Sequence, residues 1–116
     1  MTNEPTAQTP GLSYVIVTAA RNEAEFIELT LKSVVAQTIL PLRWVIVSDG
    51  STDATDVIVR KNAISRPWIQ LLRMPERRER HFAGKAYAFN TGLAQVADLK
   101  YDAVANLDAD VSFGPE

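Results

Sequence analysis

Four short apolar runs, rich in β-branched residues, recur along the chain and are separated by stretches with helical spacing. Residues 13–18 (SYVIVT) and 43–48 (RWVIVS) are apolar at consecutive rather than alternating positions, which predicts strands buried on both faces. Residues 68–72 and 101–107 predict a third and a fourth strand. Between the first two, Asn22 and Glu25 have the spacing of a capping box, and Ile27, Leu31, Val34 and Val35 form one apolar stripe until Leu40-Pro41 ends the helix. Helical spacing resumes through Val57, Ile58 and Lys61 after the turn at residues 49–53. A third helix, over residues 84–97, places Ala86, Phe89, Leu93 and Val96 on one side. Strands alternating with helices predict right-handed βαβ units: an α/β fold with a Rossmann-like, mostly parallel sheet and helices on both faces.

Composition narrows the picture. With 116 residues, 47% of them hydrophobic, the chain suits one domain. A formal charge of −2 argues against nucleic acid as a partner, because phosphate backbones select a basic face. There is no cysteine, hence no disulfide framework and no thiolate metal site, which fits a reducing, cytoplasmic compartment. No apolar run approaches the ~20 residues of a membrane span. Residues 1–11, rich in Thr, Pro, Gln and Asn, predict a disordered leader, and residues 12–116 form the domain.

The candidate chemistry lies just past the strands. The fourth strand runs into Asp108-Ala109-Asp110, two carboxylates one residue apart, a pattern suited to a divalent cation and the phosphates it carries. Glu23 follows the first strand and Asp49 the second. In open parallel sheets ligands bind beyond the carboxyl ends of the strands. Strands lie about 4.8 Å apart, so these loops would share an edge of roughly 10–15 Å, about the length of a nucleoside diphosphate. Each acid also has a purely structural explanation. Glu23 and Asp53 favour the positive ends of helix dipoles, and Asp49 and Ser51 suit a tight turn. Carboxylates gathered on one edge repel one another unless a cation or donor groups from a ligand offset them.

The helix opening at Gly84-Lys85 breaks local rules. A cation at a helix N-terminus opposes the dipole unless an anion offsets it, and Asn90 and Gly92 are poor interior helix residues. Either the helix meets a ligand, or Lys85 faces solvent while Gly92 allows close helix–sheet packing. The charge run from Glu76 to His81 predicts a solvated loop. No G-x-G-x-x-G follows the first strand, and Ala83-Gly84-Lys85-Ala86 lacks the remainder of a P-loop.

In combination these segments resemble the family 2 glycosyltransferases, which have the GT-A fold. The matching stretches are YVIVTAARNEAEFIELTLKSVVAQT, WVIVSDGSTDAT, GKAYAFNTGL and VANLDADV, in the family's order and covering most of residues 14–111. The resemblance implies transfer of a sugar from a nucleotide-diphosphate donor, with Mg²⁺ or Mn²⁺ as cofactor. It also implies roles residue by residue. Ala19, Arg21 and Glu23 fall in the first nucleotide-contacting loop, and Asp49 with Gly50 forms the turn that meets a uracil-type base. Lys85 is the lysine near the donor. Asp108 and Asp110 form the DxD pair, the first toward ribose and metal and the second on the metal. Many members have two acids before Gly-Ser, whereas here the first of the two is Ser48.

Family members continue past the DxD with the acceptor groove and a general base, so the resemblance implies that this chain is the donor-binding half, with the base expected beyond Glu116. A UDP-sugar is the favoured donor and the acceptor is unassigned. The fourth strand is expected at a sheet edge open to self-association. The parent enzyme's contact with a membrane is left open. Two alternatives stand beside this reading: a non-catalytic nucleotide-binding or assembly module, and a nucleotidyltransferase, which would normally carry a Gly-rich loop where Ala19-Ala20-Arg21-Asn22 stands.

Overall fold

The four apolar runs form the four strands of one parallel sheet. The computed structural model describes residues 13–74 and 82–109, with the backbone alone at 82–86. In chain order the elements are β1 (Tyr14–Ala20), α1 (Ile27–Val35), β2 (Arg43–Asp49), α2 (Thr55–Ser65), β3 (Ile69–Met74), α3 (Phe82–Ala94) and β4 (Ala103–Asn106). The spatial order is β3-β2-β1-β4, and every neighbouring pair is parallel. The chain thus builds outward from β1 on one side, then returns to add β4 on the other. This reversal creates a switch point at β1, where loops on either side diverge and leave a crevice.

Strand pleating divides the apolar residues between two cores. Ile16, Trp44, Ile46 and Ile69 pack against Ile27, Leu31 and Val34 of α1 and Val59 of α2. Val15, Val17, Val45 and Val47 face the other way, with Ala88 of α3 and Val96 just beyond it. Consecutive apolar positions in β1 and β2 therefore serve two faces, as the unbroken runs predict. The indole N–H of Trp44 donates to the Thr18 hydroxyl at 2.9 Å, which satisfies both polar groups inside the first core.

Gly92 decides how near α3 comes to the sheet. A Cβ built there would lie 2.7 Å from Val17 Cγ1 and 2.7 Å from Val47 Cγ2. The packing explanation of this glycine therefore holds: a methyl group would push the helix outward.

The structure departs from the sequence-based expectations in several places. α1 begins at Ile27 rather than Asn22, and no side chain caps it. Asn22 has a φ of 53°, a left-handed conformation that stops helix propagation and that Asn tolerates better than most residues. In α2 the buried residues are Thr55, Asp56 and Val59, while Val57 is 62% exposed, because the helix turns its polar first residues toward β2 and β3. β3 runs two residues further than expected, α3 begins and ends earlier, and β4 is shorter. β4 is also exposed at all four residues rather than buried on both faces. It lies at the sheet edge beside β1, outside the area of β1 and β2 that α3 covers. The expected leader and most of the charged loop lie outside the described residues, as does Asp110, and Lys85 is described by its backbone alone.

Candidate functional site at the switch point

The loops after β1, β2 and β4 meet at the C-terminal edge of the sheet. Asp49 is the last residue of β2, and register pairs Ala20 of β1 with Ser48 just before it. Asn106, the last residue of β4, pairs with Val17, so Asp108 two residues on reaches roughly the level of Ala19. Leu107 extends the ladder by donating its amide to the Val17 carbonyl at 3.2 Å. Asp49 and Asp108 thus flank β1, two strand spacings or about 10 Å apart. Ala19 and Arg21 lie at the end of β1 and in the turn after it, so the structure brings Ala19, Arg21, Glu23, Asp49, Gly50 and Asp108 to one edge. Asp49 is buried, Arg21 and Glu23 are half-buried, and Asp108 is exposed.

Two of these loops are bonded to each other. Arg21 donates from its guanidinium to the Asp49 carbonyl at 3.0 Å. The Asn22 amide donates to the Ser51 hydroxyl at 3.1 Å, and the Glu23 amide to the Thr55 hydroxyl at 2.8 Å. The Asn22 side-chain carbonyl accepts from the amides of Thr52 at 2.7 Å and Asp53 at 3.2 Å. Asp53 in turn accepts from the Ala24 amide at 3.1 Å and from the Thr55 amide at 2.9 Å. Desolvation, the largest single influence, pushes the Asp53 carboxyl up, but bonds from the Thr55 hydroxyl and amide and the Ala24 amide together outweigh it and hold the group below the usual carboxylate range. Asp53 therefore acts as a structural brace, the alternative that its position before α2 suggested.

Gly50 turns the chain out of β2 with a φ of 70°, a conformation costly for any residue with a Cβ, and its amide donates to the Met74 carbonyl at 3.2 Å. Behind this turn lies a cluster absent from the sequence-based reading. The Ser48 hydroxyl donates to Asp56, which also accepts from Arg73, and Arg73 donates to the Ser51 carbonyl at 3.1 Å. Ser48 is fully buried and Asp56 is 7% exposed. Ser48, where the resemblance leads one to expect an acid, is thus a hydroxyl bonded to a buried carboxylate.

On the other side of β1, Ala109 is 3% exposed and sits in the core beneath α1. Its carbonyl accepts from the Thr30 hydroxyl at 2.8 Å. Two signals in the sequence point toward these contacts. Asn directly after a strand favours the left-handed conformation, and Thr30 occupies the buried face between Ile27, Leu31 and Val34, where a hydroxyl needs an acceptor.

Asp108 offers a hard oxygen donor at an exposed edge, which fits Mg²⁺ or Mn²⁺ completed by water and phosphate oxygens. Among the described residues no group of three or more His, Cys, Asp or Glu side chains is placed to hold a metal by itself. The donor set suits a cation that arrives with its ligand.

A parallel sheet with helices on both faces and a change of strand order at β1 defines a Rossmann-like α/β domain. Residues 15–116 match the model of the Glycosyl transferase family 2 family, and the chain belongs to that family. It is 35% identical over 100 residues to the poly-β-1,6-N-acetyl-D-glucosamine synthase of Staphylococcus aureus (strain COL), an alignment covering 86% of this chain and 22% of that protein. The chain thus spans about a fifth of the length of the curated relatives it matches. The fold superposes on the Pyrobaculum calidifontis mannosyltransferase PcManGT, solved with GDP-Man and Mn²⁺, with a TM-score of 0.71, 29% identity and coverage of 92% of this chain and 30% of that one. It also matches residues 1–349 of S. aureus TarS, solved with UDP, with a TM-score of 0.71, 21% identity and coverage of 90% and 29%. Among the described residues no helix is long and apolar enough to cross a membrane.

Proposed function

We propose that this chain is the donor-binding half of a glycosyltransferase and holds a nucleotide-diphosphate sugar, a UDP-sugar in preference, at the switch point of its sheet. The observation that carries this reading is the placement of Asp49 and Asp108 on either side of β1, with the β1–α1 loop braced between them. Two family-fold neighbours were solved with nucleotides or a nucleotide sugar, and one of them with Mn²⁺.

In this reading Asp49 accepts a hydrogen bond from the base, and the left-handed Gly50 lets the ligand approach the turn without meeting a side chain. Glu23 meets the base or ribose, with Ala19 and Arg21 lining the same loop. Lys85 offsets diphosphate charge at the start of α3. Asp108 and Asp110 hold the cation together with the phosphates. When bound, Mg²⁺ or Mn²⁺ stabilises the charge that develops on the departing diphosphate. The acceptor is not assigned to any group of this chain, and neither is the base that deprotonates it.

Isothermal titration calorimetry with UDP, GDP and UDP-N-acetylglucosamine, with and without Mn²⁺, tests this reading. Expected are measurable binding of the uridine nucleotides without metal that Mn²⁺ strengthens, weaker binding of GDP, and a loss of about tenfold or more in Mn²⁺ for Asp110→Ala and Asp49→Asn, since each removes a charged hydrogen-bond or metal partner. A folded wild-type chain that binds none of the three nucleotides in Mn²⁺ overturns it.

A further inference from the structure

We infer that Thr30, on the buried face of α1, is a positioning residue for the cation site, acting through the backbone of Ala109. The inference rests on the reading of Asp108 and Asp110 as the metal pair. Thr30 is fully buried and Ala109 is 3% exposed. The Thr30 hydroxyl donates to the Ala109 carbonyl at 2.8 Å, bridging 79 residues of sequence. Ala109 belongs to the same core cluster as Ile27, Leu31 and Val34 of α1. The residue between the two acids is therefore anchored twice, by its methyl group in the core and by its carbonyl on the helix.

A peptide unit is planar, so a bond to the Ala109 carbonyl restrains the backbone directly after Asp108. β4 is exposed along its length, and Asp108 is exposed as well. Among the described residues the strand that delivers the acids has one neighbour in the sheet, and the helix supplies the second point of attachment. The hydroxyl thus serves a ligand-holding pair in the way that groups behind metal ligands commonly do.

The test measures the metal directly. Electron paramagnetic resonance follows free Mn²⁺ during titration into the full chain with UDP present, and calorimetry follows UDP without metal. Thr30→Val keeps the shape and removes the donor. It is expected to weaken Mn²⁺ binding about tenfold while leaving metal-free UDP affinity unchanged, and Thr30→Ser is expected to restore the wild-type value. If Thr30→Val does not fold by circular dichroism, Thr30→Ala replaces it with the same expectation. Mn²⁺ affinity in the folded Val or Ala variant equal to wild type overturns the inference, as does equal impairment in Thr30→Ser. Asp110→Ala separates the two failures. If Asp110→Ala loses Mn²⁺ while Thr30→Val keeps it, the inference alone falls. If the wild type binds no Mn²⁺ with UDP, the inference falls together with the reading beneath it.

Discussion

Asn22 accepts from the Asp53 amide across two loops at 3.2 Å, and the Asp53 carboxylate returns to the first loop by accepting from the Ala24 amide at 3.1 Å. The loops after β1 and β2 are consequently tied to each other at several points. Asn22 can take this part because it sits at a φ of 53°, where its carbonyl meets both the Thr52 and the Asp53 amides.

Substitutions at Asn22 separate the bonds from the backbone conformation. Asn22→Gly keeps the left-handed geometry and loses the acceptor, with an expected loss of about 1 kcal/mol because exposed amides regain water. Asn22→Ala adds left-handed strain, for a further loss of about 1 kcal/mol. Urea denaturation with unchanged slopes should rank wild type above Asn22→Gly and Asn22→Gly above Asn22→Ala. A glycine variant as stable as wild type would show that the clamp contributes nothing.

The Asp53 brace has a pH signature. Its folded carboxyl titrates below the ordinary value of 3.8 because the bonds from Thr55 and Ala24 together outweigh desolvation. The stability it contributes is therefore fully present above that value and is lost as pH falls through the lower folded one. Asp53→Asn should be less stable than wild type near neutrality, with the gap narrowing in acid. Unfolding curves recorded from pH 7 down to about 3 give the comparison, and a gap that widens on acidification contradicts the assignment.

Alanine is the better helix former, yet Gly92→Ala should destabilise the protein. The added Cβ would meet Val17 and Val47 at 2.7 Å, and neither valine has room to withdraw inside the second core. Overpacking of this kind costs about 1–3 kcal/mol, more than the ~1 kcal/mol of propensity gained. Thermal and urea melts provide the measurement. A more stable Gly92→Ala would mean that α3 can lift from the sheet without penalty.

Arg73 and Asp56 form an ion pair behind the Asp49 turn, with side-chain exposures of 43% and 11%. Because Arg73 is partly solvated, Arg73→Met should cost about 1–2 kcal/mol, less than the loss of a fully buried partner. Much of that cost comes from the buried carboxylate left behind, so adding Asp56→Asn should recover part of it. A double-mutant cycle with independent, additive losses would show that the pair is not coupled.

The parallel sheet and its two-sided core are legible in the sequence, because β1 and β2 carry unbroken apolar runs that only a sheet covered on both faces can bury. The acidic edge is legible as well, since βαβ topology sends Asp49 and Asp108 to the same ends of their strands. The braces were not. Asn22 has the spacing of a helix cap, and only the meeting of two loops shows that its side chain serves the amides of Thr52 and Asp53. Nothing in the local pattern singles out Asp56, which pairs with Arg73 from a neighbouring strand. The edge position of β4 agrees with the expectation from the sequence, but its exposure at all four residues does not, because burial depends on which elements cover a strand and local pattern does not encode that.

The pairing of Tyr14 with Ala103 joins the two ends of the described chain, and Asp102 reinforces it by accepting from both the amide and the hydroxyl of Ser13. Closing so long a loop is entropically slow, while β1, β2 and β3 can assemble through short successive crossovers. β4 should therefore dock last during refolding, and its amides should exchange with solvent soonest. The carboxylate it delivers would then be among the last parts to reach its place, so a ligand gripping that edge would select chains whose refolding is complete.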